Sequence, residues 1–213
     1  MSILESLQAP LGETTVLLHT CCAPCSSAII EAMMRSGITP VIYYCNPNIY
    51  PYDEYLIRKD ECTRYAESLG LEIVDSDYDH ENWLQAVMGL EDEPERGKRC
   101  LKCFKVRLLR TAAYAASRGI RVITTTLASS RWKSLDQINE AGRWACGEVS
   151  SRCVNPAGNI LPGAGAPPIL TTPVWWDNNW RKGGLQERRL QIIKEYDFYN
   201  QLYCGCEFSM RKD

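Results

Sequence analysis

Residues 15–27 read TVLLHTCCAPCSS. Thr15–His19 is a short, largely apolar run of the kind that serves as a buried strand of a parallel sheet. Cys21, Cys22 and Cys25 follow, and then Ser26 and Ser27, either of which can cap a helix running to about Arg35, with Gly37 stopping it. Strand, thiol-bearing turn and helix form the first unit, and the alternation repeats along the chain. Val41–Cys45 reads as a second strand and Tyr52–Leu69 as an amphipathic helix ending at Gly70. Leu71–Asp75 reads as a third strand, with helices at about His80–Met88 and at Arg99–Ser117. Arg121–Leu127 reads as a fourth strand, Ser134–Ala145 as a helix, Ile169–Trp175 as a fifth strand and Leu185–Glu195 as a last helix. The order βαβαβααβαβα predicts an α/β fold, a parallel sheet with helices on both faces. The expected organisation is one α/β domain over residues 1–213, with an inserted Gly/Pro-rich loop at about 147–168. Within that loop Gly163 and Gly165 neither follow a strand nor open a helix, so they are no dinucleotide fingerprint.

A chain of 213 residues, 45% apolar and 23% charged, has ordinary globular composition and room for a real core. Disorder, collagen, coiled coil and repeat arrays are unsupported. The first Lys or Arg is Arg35, so the beginning carries no charged leader region, and no apolar run approaches the roughly 20 residues of a membrane helix. The expected compartment is the cytoplasm, with no membrane association. Eleven cysteines are the anomaly. Their odd number forbids a fully paired disulfide framework, and in a reducing compartment they stay thiols, although a disulfide within one pair is left open. With His19 and His80 the only histidines, an alternating Cys/His finger is nearly excluded, while a site built of sulfur is not. The net charge of −2 hides an asymmetry: residues 96–135 hold eleven Lys/Arg and no Asp/Glu. So pure a window favours an anionic partner such as phosphate or nucleic acid.

In open parallel sheets ligands bind beyond the carboxyl ends of the strands. Cys21, Cys22 and Cys25 follow strand one, Asn46 to Tyr52 (NPNIYPY) follow strand two, Ser129 to Lys133 (SSRWK) follow strand four, and Asp177 to Gly184 (DNNWRKGG) follow strand five. Thiols, amides, guanidiniums and indoles therefore converge on one edge. Two further cysteine pairs stand elsewhere, Cys100 with Cys103 and Cys204 with Cys206. The first pair lies three apart at a helix start, so both thiols face one way, and the helix N-terminus with Lys98, Arg99 and Lys102 favours thiolate. Gly205 lets Cys204 and Cys206 approach a metal together. Six or seven thiolates exceed the four of a structural zinc ion; four hold a [4Fe–4S] cluster and leave the rest for a second metal or for catalysis. The lone Cys45, Cys62, Cys146 and Cys153 read as small buried hydrophobes. A second constellation interleaves Arg131, Lys133, Arg181 and Lys182 with Trp132, Trp175, Trp176 and Trp180, cations for phosphates and ring faces for bases. Trp83 and Trp144 read as core, and the acidic stretch Glu91–Glu95 as a solvated face. His19, at a strand end before the thiols, is either a packed side chain or a donor behind the site.

The motifs HTCCAPCS, YYCNPNIYP, RGKRCLKCF, SSRWK, NWRKGG and YCGCEFS, in this order and spacing, resemble the epoxyqueuosine reductase QueH family from about Leu18 to Met210, apart from the insertion. The resemblance implies a Rossmann-like fold of the HUP group, a [4Fe–4S] cluster beside one further iron, and two-electron reduction of epoxyqueuosine to queuosine at the wobble position of tRNA, with an electron donor still to be identified. It also implies Cys21, Cys22, Cys25, Cys100, Cys103, Cys204 and Cys206 as metal ligands. Cys22, Cys100, Cys103 and one of the terminal pair would hold the cluster, and Cys21, Cys25 and the other terminal cysteine the iron; some relatives place an aspartate at position 25. Cys21, Cys25 and His19 would be catalytic, and Arg131, Lys133, Trp180, Arg181 and Lys182 would bind the nucleic acid. Two rivals stand beside this reading. One is a zinc-stabilised RNA-binding module without catalysis. The other is an ATP-using nucleotide transferase, disfavoured because CCAPC offers no glycine to cradle phosphate.

Overall fold

The computed structural model describes residues 6–150, 153–154, 160–161 and 171–210. Five parallel strands form its main sheet: β1 (Thr15–Thr20), β2 (Thr39–Tyr44), β3 (Ile73–Asp75), β4 (Val122–Thr125) and β7 (Val174–Trp175). Two two-residue strands, β5 (Cys153–Val154) and β6 (Ile160–Leu161), pair antiparallel apart from it. The main sheet runs in the order β3-β2-β1-β4-β7, the Rossmann-like arrangement expected. β1 is its centre. All of its residues after Thr15 are buried, which is why it reads as a continuous run and not as an alternating one.

Helices α1 (Ala23–Arg35), α2 (Tyr52–Ser68) and α6 (Leu185–Glu195) form one layer, with α1 packed on both others. Helices α3 (His80–Val87), α4 (Lys98–Ser117) and α5 (Leu135–Ser150) form the second, with α4 packed on both others. The right-handed crossovers of a parallel sheet put the two layers on opposite faces. The chain winds one way from β1 to β2 to β3, and the other way from β1 to β4 to β7. The crevice of such a sheet opens where the order reverses, at the carboxyl ends of β1 and β4.

Three boundaries differ from expectation for local reasons. Helix α1 starts at Ala23 and its cap is Cys22, because Pro24 suits the first helical turn and Cys22 is extended. Ser26, the expected cap, instead turns its hydroxyl back to the carbonyls of Cys22 and Ala23, both at 3.1 Å. β4 ends at Thr125, and Thr126–Ser129 is a short 3-10 turn. α5 runs on to Ser150, taking the first four residues of the presumed insertion into a helix. Of the fifth strand only Val174–Trp175 is in the sheet; Ile169 and Leu170, like most of residues 151–170, lie outside the described residues. No described helix is long and apolar enough to cross a membrane.

Candidate active site

The turn after β1 and the start of α1 bring three thiols together. The sulfurs of Cys21, Cys22 and Cys25 all lie within 4.8 Å of one another, and those of Cys21 and Cys22 are 3.8 Å apart. Cys25 stands in the first turn of α1, where the helix dipole favours negative charge. The triad shares its charge unevenly. Hydrogen bonds from the Cys22 and Cys25 thiols, helped by Lys133 and Arg107, hold Cys21 well below the usual thiol range against the cost of burial. The same bonds push Cys22 up, and Cys25 up to about 11. Gln201, from the segment after α6, donates from Nε2 to Cys22 Sγ at 3.1 Å.

The other two pairs meet in a second pocket. Cys100 and Cys103, in the first two turns of α4, line a small cavity with Cys204, Cys206, Trp83 and Asn48. Trp83, Val87, Cys103 and Cys206 are all buried and pack as a small cluster of their own. The terminal hook that carries Cys204 and Cys206 is tied to α2. Buried Arg58 donates to the carbonyls of Tyr203 and Cys204, each at 3.3 Å, and pairs with Glu54 at 2.6 Å. Gly205 sits at φ +107°, and a Cβ there would stand 2.9 Å from Ile49 Cγ1 and 3.0 Å from Arg58 Nη1, so glycine alone fits. Burial pushes the Cys103 and Cys100 thiols up, and Cys206 up to about 12.

The two thiol groups are joined by charge and by Cys204. Buried Arg107 faces Cys103, Cys21 and Cys204, while Lys133 faces Cys204, Cys21 and Cys25. A cavity of about 550 Å³ opens over the triad, and Cys21, Cys25 and Cys204 line it. The described lining contains five cations, Arg58, Arg107, Arg131, Lys133 and Arg189, against one carboxylate, Glu95. Lys133 Nζ has no carboxylate within ion-pair distance among the described residues. All seven cysteines singled out by spacing thus come from three distant stretches to one rim of the sheet, at its point of reversal. The ten described cysteines are free thiols. Cys153 has no described side chain.

His19 does not belong to the lining, and its catalytic assignment is corrected. It is fully buried, its Nδ1 accepts from the Thr125 hydroxyl at 2.7 Å, and its Nε2 donates to the Cys45 carbonyl at 3.0 Å. Burial and the nearby Arg107 push it down to about 3, so the ring is neutral and both nitrogens are taken. It ties the carboxyl ends of β1, β2 and β4 together, and Arg107 Nε reaches the same Cys45 carbonyl at 3.2 Å. Trp180 is corrected too. It is fully buried, with its ring edge-on to Trp176 at 5.2 Å, and presents no face to a base. Arg131 and Lys133 line the cavity. Arg181 is half-buried and spends Nη2 on the Lys133 carbonyl at 2.8 Å, which positions that lysine, and Lys182 is exposed beyond the lining.

Residues 91–95 are not a free solvated face. Arg99, buried at the start of α4, donates to the carbonyls of Leu90 (3.2 Å), Glu91 and Glu93, and so folds this stretch over the second pocket. The signal missed was the guanidinium next to Cys100. Trp83 is core as expected, but its indole N–H is buried without a hydrogen-bond partner, as is the Asn48 side-chain oxygen, and both border the second pocket.

The model of the family described as epoxyqueuosine reductase QueH matches residues 16–155 and 170–212, skipping most of the Gly/Pro-rich segment. The chain belongs to the QueH family. Relatives named epoxyqueuosine reductase QueH include one from Histophilus somni, 44% identical over 98% of this chain and 77% of its own length, and one from Haemophilus influenzae, 43% identical over the same shares. Another, from Thermotoga maritima, is 30% identical over 92% of this chain and 90% of its own. A QueH chain of this kind is an oxidoreductase, and the seven converging thiols are the part of it equipped for redox chemistry.

Proposed function

We propose that this chain reduces epoxyqueuosine to queuosine in the anticodon wobble position of tRNA, using a [4Fe–4S] cluster and one further iron held by its seven clustered cysteines. The observation that carries the reading is the sorting of those thiols by the cavity. Cys21, Cys25 and Cys204 line it, whereas Cys22, Cys100, Cys103 and Cys206 do not. The first three fit the substrate-side iron and the other four the cluster. The donor set suits the group: soft sulfur ligands, more numerous than one zinc ion takes. The unpartnered indole N–H of Trp83 beside Cys103 and Cys206 supports the same fit, since a buried donor without an oxygen acceptor is satisfied by anionic sulfur.

Deoxygenating an epoxide to an alkene takes up two electrons and two protons and releases the oxygen as water. When bound, the iron centres supply electrons one at a time and a Lewis-acidic site for the epoxide oxygen. The chain's own residues do the rest. The 550 Å³ cavity is of the size that encloses a nucleoside-sized ligand. Arg107 and Lys133 bias the thiols toward thiolate and hold positive charge where negative charge develops on oxygen. Arg131 and Arg189 on the lining face the anticodon backbone. The family's activity favours this reading over a zinc-stabilised RNA-binding module. Single-turnover assay of anaerobically reconstituted protein with epoxyqueuosine-containing tRNA tests it. Product nucleoside should form with wild type and fall at least about 100-fold with Cys103→Ala. Undiminished turnover in that variant contradicts the proposal.

A further inference from the structure

We propose that Trp132 is a stacking platform for an unpaired nucleobase that flanks the nucleoside in the cavity, with Leu202 as an apolar contact beside it; this rests on the RNA substrate proposed above. Trp132 is 78% exposed and Leu202 86% exposed, and both line the cavity. Exposed apolar side chains that large are costly without a partner, and these two stand on an otherwise cationic rim.

The backbone under each is fixed. Arg96 donates to the carbonyls of Trp132 at 3.1 Å and Arg131 at 2.7 Å, and Ser130 Oγ accepts from the Trp132 N–H at 3.3 Å. Arg96 is held in turn by Gln137, whose amide donates to its carbonyl at 2.8 Å. The neighbours of Leu202 are anchored too: Gln201 donates to Cys22 Sγ, and the Tyr203 hydroxyl donates to the Tyr50 carbonyl. The indole is therefore displayed in a set position at no further ordering cost, the condition under which a ring face binds tightly. A cavity of this volume encloses one nucleoside and leaves its sequence neighbours at the rim. Arg131, adjacent in the chain, is placed to meet the intervening phosphate. The ligand class is thus single-stranded RNA with bases turned outward, recognised by stacking and charge. A protein partner is less apt, because five cations against one carboxylate complement a phosphodiester chain.

The probe is a fluorescein-labelled, unmodified anticodon stem-loop titrated with the full chain. Trp132→Ala should weaken binding about 5- to 100-fold, the range of one lost base stack, and Trp132→Phe by less than about threefold. Leu202→Ala should weaken it a few-fold. RNA should also quench the part of the wild-type tryptophan emission that is missing in Trp132→Phe, a readout that needs no alanine variant to fold. If wild type binds and Trp132→Ala binds equally well, or if that quenching is absent, this inference alone falls. If wild type does not bind the stem-loop, the RNA-substrate reading falls and takes this one with it.

Discussion

Cys21 is the thiol most altered by its surroundings. It accepts from Cys22 and Cys25 and faces Lys133 and Arg107, so in metal-free protein it is the thiolate of the triad. Iodoacetamide at pH 7 should therefore label Cys21 well before Cys22 or Cys25, as read by peptide mass spectrometry. Lys133→Gln removes one favourable charge, raises the Cys21 pKa and should slow that labelling roughly two- to tenfold. Equal labelling of the three thiols would contradict this. His19 behaves oppositely. Folding lowers its pKa from an ordinary 6.5 to about 3, so the unfolded chain binds the proton more readily. Its contribution is whole above pH 6.5 and is lost as pH falls toward 3. Urea unfolding across this window should show a shallower decline in His19→Gln than in wild type, by up to about 1.4 kcal/mol per pH unit. Parallel slopes would refute the neutral, doubly bonded ring.

The terminal hook owes its place to one buried ion pair on α2. Arg58 is 2% exposed, and it bonds both Glu54 and the backbone around Cys204. Arg58→Met leaves Glu54 buried with the Tyr199 hydroxyl, at 2.9 Å, as its remaining neutral donor, and should cost about 3–5 kcal/mol in chemical denaturation. Adding Glu54→Gln should recover part of that loss, because the penalty is chiefly the unpaired charge. A double variant as unstable as the sum of the singles would contradict this. Elements of this kind divide into legible and illegible. The strands and the cysteine spacings could be read in advance because periodicity and thiol pairs are local signals. The cap of α1 could not, since Pro24 and the extended Cys22 outweighed two serines. Nor could the fold of residues 91–95, which depends on Arg99 reaching back to three carbonyls.

At the scale of the molecule, the reversal of strand order at β1 and β4 gathers what the chain keeps apart. Residues 21–25, 100–103, 131–133 and 201–206 share one rim because each follows a strand or packs against the loops that do. That convergence was legible from the strand order. Which indole faces outward was not: Trp180 and Trp132 have the same basic neighbourhood in sequence, but one fills the core and the other stands in solvent. Their difference is set by the packing of Trp176 and by the Arg96 clasp, both long-range. The central claim is that the seven thiols form two sulfur sites of different character. Iron, acid-labile sulfide and zinc should be measured together in anaerobically purified wild type, Cys25→Ala and Cys103→Ala. Wild type should carry more iron than sulfide, Cys25→Ala should keep its sulfide and lose the excess iron, and Cys103→Ala should lose its sulfide. Zinc without sulfide in the wild type, or the same loss in both variants, would contradict it.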